Sequence, residues 1–115
     1  EDGYLFLTDR KNFMIITGGV NIYPQEIENL LVTHPRITDA AVIGTPDPDM
    51  GEKVTAIIQP VDMADATPEF ASEVREWLRE SLSGAKVPKR IEFLDDLPRL
   101  PTGKMQKFAL RERFS

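Results

Sequence analysis

The stretch "DAAVIGTPDPDMGEKVTAIIQPV", Asp39 to Val61, decides what kind of fold this chain can adopt. Two β-prone runs, "DAAVIGTPD" and "EKVTAIIQPV", flank the segment "TPDPDMGE", which is rich in turn-forming residues. The pattern predicts two strands joined by a turn. Any fold of this chain therefore has to contain a sheet.

Helical patterns lie on both sides of these two strands. Before them, "NIYPQEIENLLVTHP" carries Pro24 where the first helical turn would begin, and its apolar residues share one face. After them, Thr67 is a good N-cap with Pro68 behind it. Apolar residues then recur at helical spacing as far as Gly84, and we expect Trp77 among them to belong to the core.

The remaining segments complete an α+β pattern. "RIEFL" reads as a short strand, "DDLPRLPTGK" as an extended loop and "MQKFALRERF" as a last helix. Near the start, Tyr4–Leu7 and Phe13–Ile16 read as strands about the turn Asp9–Asn12, and Gly18-Gly19 breaks the second strand. We expect a small three-stranded sheet covered by helices, preceded by a separate N-terminal two-stranded hairpin.

Composition excludes several classes of function. The 115 residues contain no cysteine and one histidine, which rules out disulfides, thiolate chemistry and a histidine-based metal site. A net charge of −5 argues against a general nucleic-acid binder. No apolar run is long enough to span a membrane and no signal-peptide pattern is present, so we expect a cytoplasmic protein without a membrane span.

Basic residues are nevertheless concentrated at the C-terminal end. Between Arg99 and Ser115 there are five bases against one acid. Lys107, Arg111 and Arg113 could form a solvated helix face or an interaction surface. Lys104 differs from them because it precedes the helix and follows Gly103 in the stiffened stretch "RLPTGKMQK".

Common catalytic patterns do not account for these residues. A Walker phosphate loop fails, because Pro98 and Met105 stand where it needs Gly and Ser or Thr. The carboxylate pairs Asp95-Asp96 and Glu26/Glu28 lie beside turns or helix starts, where solvation or a dipole contact explains them. His34 precedes a proline at a helix end, which favours carbonyl capping or solvent exposure over catalysis.

Three segments in order resemble the acyl-CoA synthetases of the adenylate-forming superfamily. They are "DGYLFLTDRKNFMIITGGVNIYPQEIE", "HPRITDAAVIGTPDPDMGEKVTAII" and "KVPKRIEFLDDLPRLPTGKMQK", which together cover nearly the whole chain. The resemblance implies the small C-terminal domain of a two-domain enzyme, with residues 1–12 as hinge and first strand and 13–115 as the domain proper. It also implies a large N-terminal domain that is not in this chain.

That family implies a reaction in two steps. A carboxylic acid and ATP, with Mg²⁺, give an acyl-adenylate and pyrophosphate, and coenzyme A then displaces AMP. The small domain swings about its hinge between the steps. The resemblance therefore implies a fatty or related organic acid, ATP and CoA as small-molecule partners, with ATP and Mg²⁺ held mainly by the large domain.

Individual residues match the family's motifs. Lys104 matches the lysine that enters the active site during adenylation, and Arg10 matches the arginine that contacts the ribose. Gly18 and Gly19 match the hairpin beside the pantetheine tunnel, and the hinge position falls on Asn12, where relatives mostly carry Asp or Lys. Arg79 falls where some relatives contact the CoA phosphate, although it also suits a plain surface position.

Two other functions remain open from the sequence. An adenylation enzyme that loads a carrier protein would use the same Gly18-Gly19 tunnel. A non-catalytic interaction module would use the basic C-terminal tail instead.

Overall fold

The structure, a computed structural model, describes residues 14–114 as a sheet with helices packed against it. The strands are β1 (Ile15–Thr17), β2 (Val20–Ile22), β3 (Ile37–Asp47), β4 (Gly51–Pro60) and β5 (Arg90–Phe93). The helices are α1 (Pro24–Leu31), α2 (Pro68–Arg79) and α3 (Lys107–Phe114). This arrangement confirms the predicted α+β class.

β4 is the central strand of the sheet. It pairs antiparallel with β3 along one edge, and its other edge meets β1 at Gly51 and β5 from Thr55 to Ile58. β5 runs parallel to β4 because α2 provides the crossover between them. The three strands predicted after α1 are therefore present and hydrogen-bonded in one sheet.

The N-terminal part differs in one respect from the prediction. Gly18 and Gly19 do not merely break a strand, because they form the turn of a hairpin between β1 and β2. That hairpin is joined to the sheet through Thr17 and Gly51 and does not stand apart from it. The predicted strand Tyr4–Leu7 and the turn Asp9–Asn12 lie outside the described residues.

Both faces of β3 and β4 are buried, because successive side chains of a strand point to opposite faces. Ala40, Val42 and Ile58 join the larger apolar cluster beneath α1 and α2. Ala41, Ile43 and Ile57 join a smaller cluster on the opposite face, with Leu97 and Leu110. The chain from Leu97 onward therefore covers the second face of the sheet.

Helix α2 begins as predicted. The Thr67 hydroxyl accepts a hydrogen bond from the Phe70 N–H at 3.1 Å, and Phe70, Val74 and Leu78 are buried beneath the helix. The helix ends at Arg79, earlier than Gly84. Trp77 is partly buried against the larger cluster, in agreement with the expected core position.

Candidate functional site

Lys104 stands at the end of a tight, ordered turn. The Gly103 N–H donates to the Leu100 carbonyl at 2.7 Å, and the Leu100 N–H donates to the Lys104 carbonyl at 2.8 Å. Arg99 and Met105 face each other in an antiparallel bridge at the base. We call Leu100–Lys104 the lysine turn. It holds an exposed lysine on a backbone that is closed by hydrogen bonds at both ends.

Gly103 makes this turn possible because its φ is 91°, in the left-handed region that favours glycine. A Cβ at this position would meet nothing within 4 Å. The backbone conformation, and not a lack of space, therefore explains the glycine.

Arg99 connects the lysine turn to the sheet. Its Nε and Nη2 donate to the two carboxylate oxygens of Asp39 at 2.6 and 2.8 Å, and its Nη1 donates to the Gly103 carbonyl. Asp39 belongs to β3 and is separated from Arg99 by 60 residues. Sequence reasoning counted Arg99 only as one of the C-terminal bases and missed this contact.

The pKa of Asp39 reflects the contact with Arg99. Partial burial by itself would raise this pKa, but the hydrogen bonds from Arg99 and from the Ala40 N–H outweigh it and hold the pKa below its usual value. Asp39 therefore stays ionised at neutral pH and keeps its charge opposite Arg99.

The C-terminal helix is not a solvated basic face. The Lys107 Nζ lies 2.7 Å from a carboxylate oxygen of Glu28, and only 13% and 12% of the two side chains are exposed. Glu28 also accepts the Val42 N–H at 2.8 Å. Arg111 approaches Glu52 at 3.8 Å. Two of the three helix bases thus pair with acids of other elements, which the sequence alone did not indicate.

A shallow cavity of about 260 Å³ opens between the lysine turn and α1. Its wall includes Lys104 and Arg99 on one side and Gln25 and Glu28 on the other. The cavity adjoins the ion pairs of Arg99 and of Lys107.

The Gly18-Gly19 turn lies on the hairpin beside the turn after β3. Gly18 and Gly19 have φ of 56° and 85°, and the Gly18 N–H donates to the Met50 carbonyl at 3.0 Å. A Cβ on Gly18 would lie 2.5 Å from the Met50 side chain, whereas a Cβ on Gly19 would meet nothing within 4 Å. Space beside Gly19 is therefore open to another molecule.

The other predicted site residues are not gathered with Lys104. Arg79 is exposed at the end of α2, where it pairs with Glu76. Arg10 and Asn12 lie outside the described residues. Among residues 14–114, no three acidic or histidine side chains come together as a cation site. None of the helices in that range is long and apolar enough to cross a membrane.

His34 is buried, so the expectation of carbonyl capping or solvent exposure is wrong. Its Nδ1 accepts the Arg36 N–H at 3.1 Å, and its ring forms T-shaped pairs with the rings of Trp77 and Phe70, with centroids 4.9 and 5.6 Å apart. Burial and the neighbouring Arg36 lower the pKa of His34. A neutral imidazole with this packing is a part of the core.

Comparison with known proteins identifies the family. The sequence profile of the AMP-binding enzyme C-terminal domain matches residues 26–104. The chain is 47% identical over 113 residues to a feruloyl-CoA synthase from an Amycolatopsis species, covering 98% of this chain and 22% of that protein. It is 40% identical over 114 residues to a fatty acid–[acyl-carrier-protein] ligase from Streptomyces coeruleorubidus, covering 99% and 21%.

A solved structure, that of a Mycobacterium tuberculosis fatty acyl CoA synthetase, has the same fold. It superposes with a TM-score of 0.81 at 38% identity, over 90% of this chain and 20% of that one. The chain thus spans about a fifth of the length of the proteins it matches. This chain belongs to the AMP-binding enzyme C-terminal domain family, as its three motifs predicted.

Proposed function

We propose that this chain is the mobile C-terminal domain of an ATP-dependent acyl-CoA synthetase. The full-length cytoplasmic enzyme would convert a fatty or related carboxylic acid, ATP and CoA into acyl-CoA, AMP and pyrophosphate. Residues 13–115 would form the domain, residues 1–12 would contain the hinge at Asn12, and a large N-terminal domain would precede them. The observation that carries the proposal is the lysine turn, in which an exposed lysine lies on a backbone closed by hydrogen bonds.

Lys104 would serve the first step. A carboxylate oxygen attacks the α-phosphorus of ATP, the bond to the β,γ-phosphates breaks, and pyrophosphate leaves. Both reactants are anions, so a preorganised positive charge at the point of approach stabilises the transition state. Arg10 would contact the ribose during both steps.

Gly18 and Gly19 would serve the second step. The sulfur of CoA attacks the acyl carbon, AMP leaves and the thiol proton is released. The open space beside Gly19 suits a narrow ligand such as the pantetheine arm. Arg79 would contact the CoA phosphate, in competition with its present partner Glu76.

ATP and Mg²⁺ would be held mainly by the large domain. The described residues offer no cluster of cation ligands. This chain would contribute the positive charge of Lys104 and the open space beside Gly19.

A carrier-protein ligase is the second candidate. The fatty acid–[acyl-carrier-protein] ligase from S. coeruleorubidus is among the relatives, at 40% identity. Its acceptor could use the same hairpin through a phosphopantetheine arm. An interaction module that uses the basic tail has less support, because Lys107 and Arg111 pair with Glu28 and Glu52.

The two half-reactions of the full-length enzyme test the proposal. Lys104→Ala should lower adenylation by roughly 10²-fold, as the loss of one transition-state donor does in other enzymes. Thioester formation from a pre-made acyl-adenylate and CoA should stay within about 2-fold, because Lys104 acts only before that step. An equal loss in both half-reactions would contradict the proposal. Comparing free CoA with a phosphopantetheinylated carrier protein as acceptor distinguishes the two candidates.

A further inference from the structure

The Arg99 side chain bonds the lysine turn to the sheet. Arg99 offers three nitrogens, of which two bind Asp39 on β3 and the third binds the carbonyl of Gly103. Gly103 is the residue immediately before Lys104. The Arg99 guanidinium therefore connects the backbone next to Lys104 directly to β3.

Only an arginine can make this connection. Its guanidinium is planar and presents several donors in a fixed fork, whereas a lysine ammonium is a single point of charge on a flexible stem. Asp39 fills the two parallel positions of the fork, and the remaining donor points to the turn. The contacts of Arg99 therefore depend on the orientation of its guanidinium as well as on its charge.

Lys107 fastens the chain on the other side of the turn. Its contact with Glu28 is nearly buried, and the Gln106 N–H donates to the Pro98 carbonyl at 2.8 Å across the base. Apolar packing also holds the segment, because Leu97 and Leu110 belong to the smaller cluster and the partly buried Met105 packs against it. Arg99 and Lys107 add charged contacts on the two sides of the turn.

We propose that Arg99 and Asp39 are positioning residues for Lys104, which hold its turn in the orientation that adenylation requires. This inference rests on the proposed role of Lys104 in the first half-reaction. Neither residue touches a reacting atom in this role. Each acts by fixing the carbonyl of Gly103 and so the backbone of the next residue.

The test uses the full-length enzyme with three single variants and one double variant at this pair. Arg99→Ala should lower the kcat of adenylation by about 10-fold or more, because a displacement of about 1 Å at a reacting group can cost 10²-fold. Arg99→Lys keeps the charge but not the fork and should fall between Arg99→Ala and the parent enzyme. Asp39→Asn should act in the same direction. Combining Asp39→Asn with Arg99→Ala should add little to Arg99→Ala alone, because both remove one connection.

Arg36→Ala is the matched control. The Arg36 side chain is 44% exposed against 41% for Arg99, and it also pairs with acids, Asp65 and Glu73. Its guanidinium lies over the Phe70 ring of α2, and none of these partners belongs to the lysine turn. It should leave adenylation within about 2-fold. A positioning role further requires that the KM for ATP and the thioester half-reaction of Arg99→Ala change by no more than about 2-fold.

Each outcome decides between the two proposals. If Lys104→Ala lowers adenylation selectively and Arg99→Ala does not, the positioning role is wrong and the proposed function stands. If Arg99→Ala lowers both half-reactions and the unfolding temperature together, Arg99 is a structural residue and the inference fails. If Lys104→Ala has no selective effect, the proposed function fails and the positioning role falls with it.

Discussion

The Gly18-Gly19 turn and the lysine turn use the same backbone device but are anchored by different forces. Each has glycine at positive φ, and both Gly19 and Gly103 face open space. The Gly18-Gly19 turn closes a three-pair β ladder flanked by Ile15 and Ile22, which are 1% and 0% exposed.

The lysine turn has one isolated bridge at its base, between Arg99 and Met105, and ion pairs of Arg99 and Lys107 beside it. Backbone ladders and buried apolar side chains respond little to salt or mild acid, whereas ion pairs respond to both. One turn is therefore held by backbone pairing and buried side chains, whereas the other also has ion pairs that salt and acid can weaken.

Of the changes that distinguish the two turns, Gly19→Leu should have the largest effect on activity. A leucine would occupy the open space beside the hairpin, so thioester formation should fall by about 100-fold while adenylation stays nearly unchanged. Half-reaction assays of the full-length enzyme measure both. Equal losses in the two steps would show that the hairpin has misfolded.

Gly103→Ala should have a smaller effect, and on the other step. An alanine at φ near 91° is strained by about 1–2 kcal/mol, which the lysine turn can relieve only by moving. We expect adenylation to fall by about 10-fold with thioester formation preserved. Gly19→Ala is the matched control, since it introduces similar strain in open space, and it should not reproduce the loss of adenylation.

As the pH falls, the contacts of the lysine turn should weaken at a higher pH than those of the Gly18-Gly19 turn. Because the pKa of Asp39 in the folded domain lies below the ordinary 3.8, its pair with Arg99 stabilises the fold above that pH and is lost as the pH falls through the lower, folded value. As the pH falls from neutral to below the folded-state pKa of Asp39, amide protection at Gly103 should fall by roughly 5-fold relative to Gly18, the size expected of a partly exposed pair. Hydrogen exchange followed by NMR measures this ratio.

Asp39→Asn provides the control for the acid experiment. The variant lacks the titrating carboxylate, so its ratio of Gly103 to Gly18 protection should no longer change through this pH range. A ratio that still falls to the same extent would assign the acid response to another group.

Salt should have the smallest effect. Raising the ionic strength from about 0.05 to 0.5 M shortens the Debye length and weakens exposed ion pairs. Exchange at Gly103 should speed up by about 2-fold, while Gly18, held by the Met50 carbonyl, should not change. An identical response at both amides would remove the distinction between the two turns.

Sequence reasoning succeeded where the signal is local. The Thr67 cap, the apolar face of α2 and the strands β3, β4 and β5 follow from neighbouring residues, and the structure contains all of them. The Gly18-Gly19 pair was recognised as a break but not as a hairpin turn. β2 has only three residues, of which one is buried. So short a run does not establish an alternation of apolar and polar residues.

Contacts between distant residues could not be predicted in the same way. Arg99 and Asp39 are 60 residues apart, and nothing in the sequence near Arg99 indicates which acid it will meet. Lys107 looked like a surface base because its helix is rich in charge, yet its partner Glu28 lies on α1. His34 was interpreted as a helix-end residue because a proline follows it. The rings that bury it belong to Phe70 and Trp77 of α2, which are distant in sequence.

The length of β3 sets a distance between the two turns. The lysine turn is joined to the strand at Asp39, and the hairpin reaches the sheet at Met50 and Gly51, beside the other end of the strand at Asp47. At about 3.3 Å per residue, Asp39 and Asp47 are separated by roughly 26 Å. Under the proposed function, this distance would let one active site receive only one of the two turns in each chemical step.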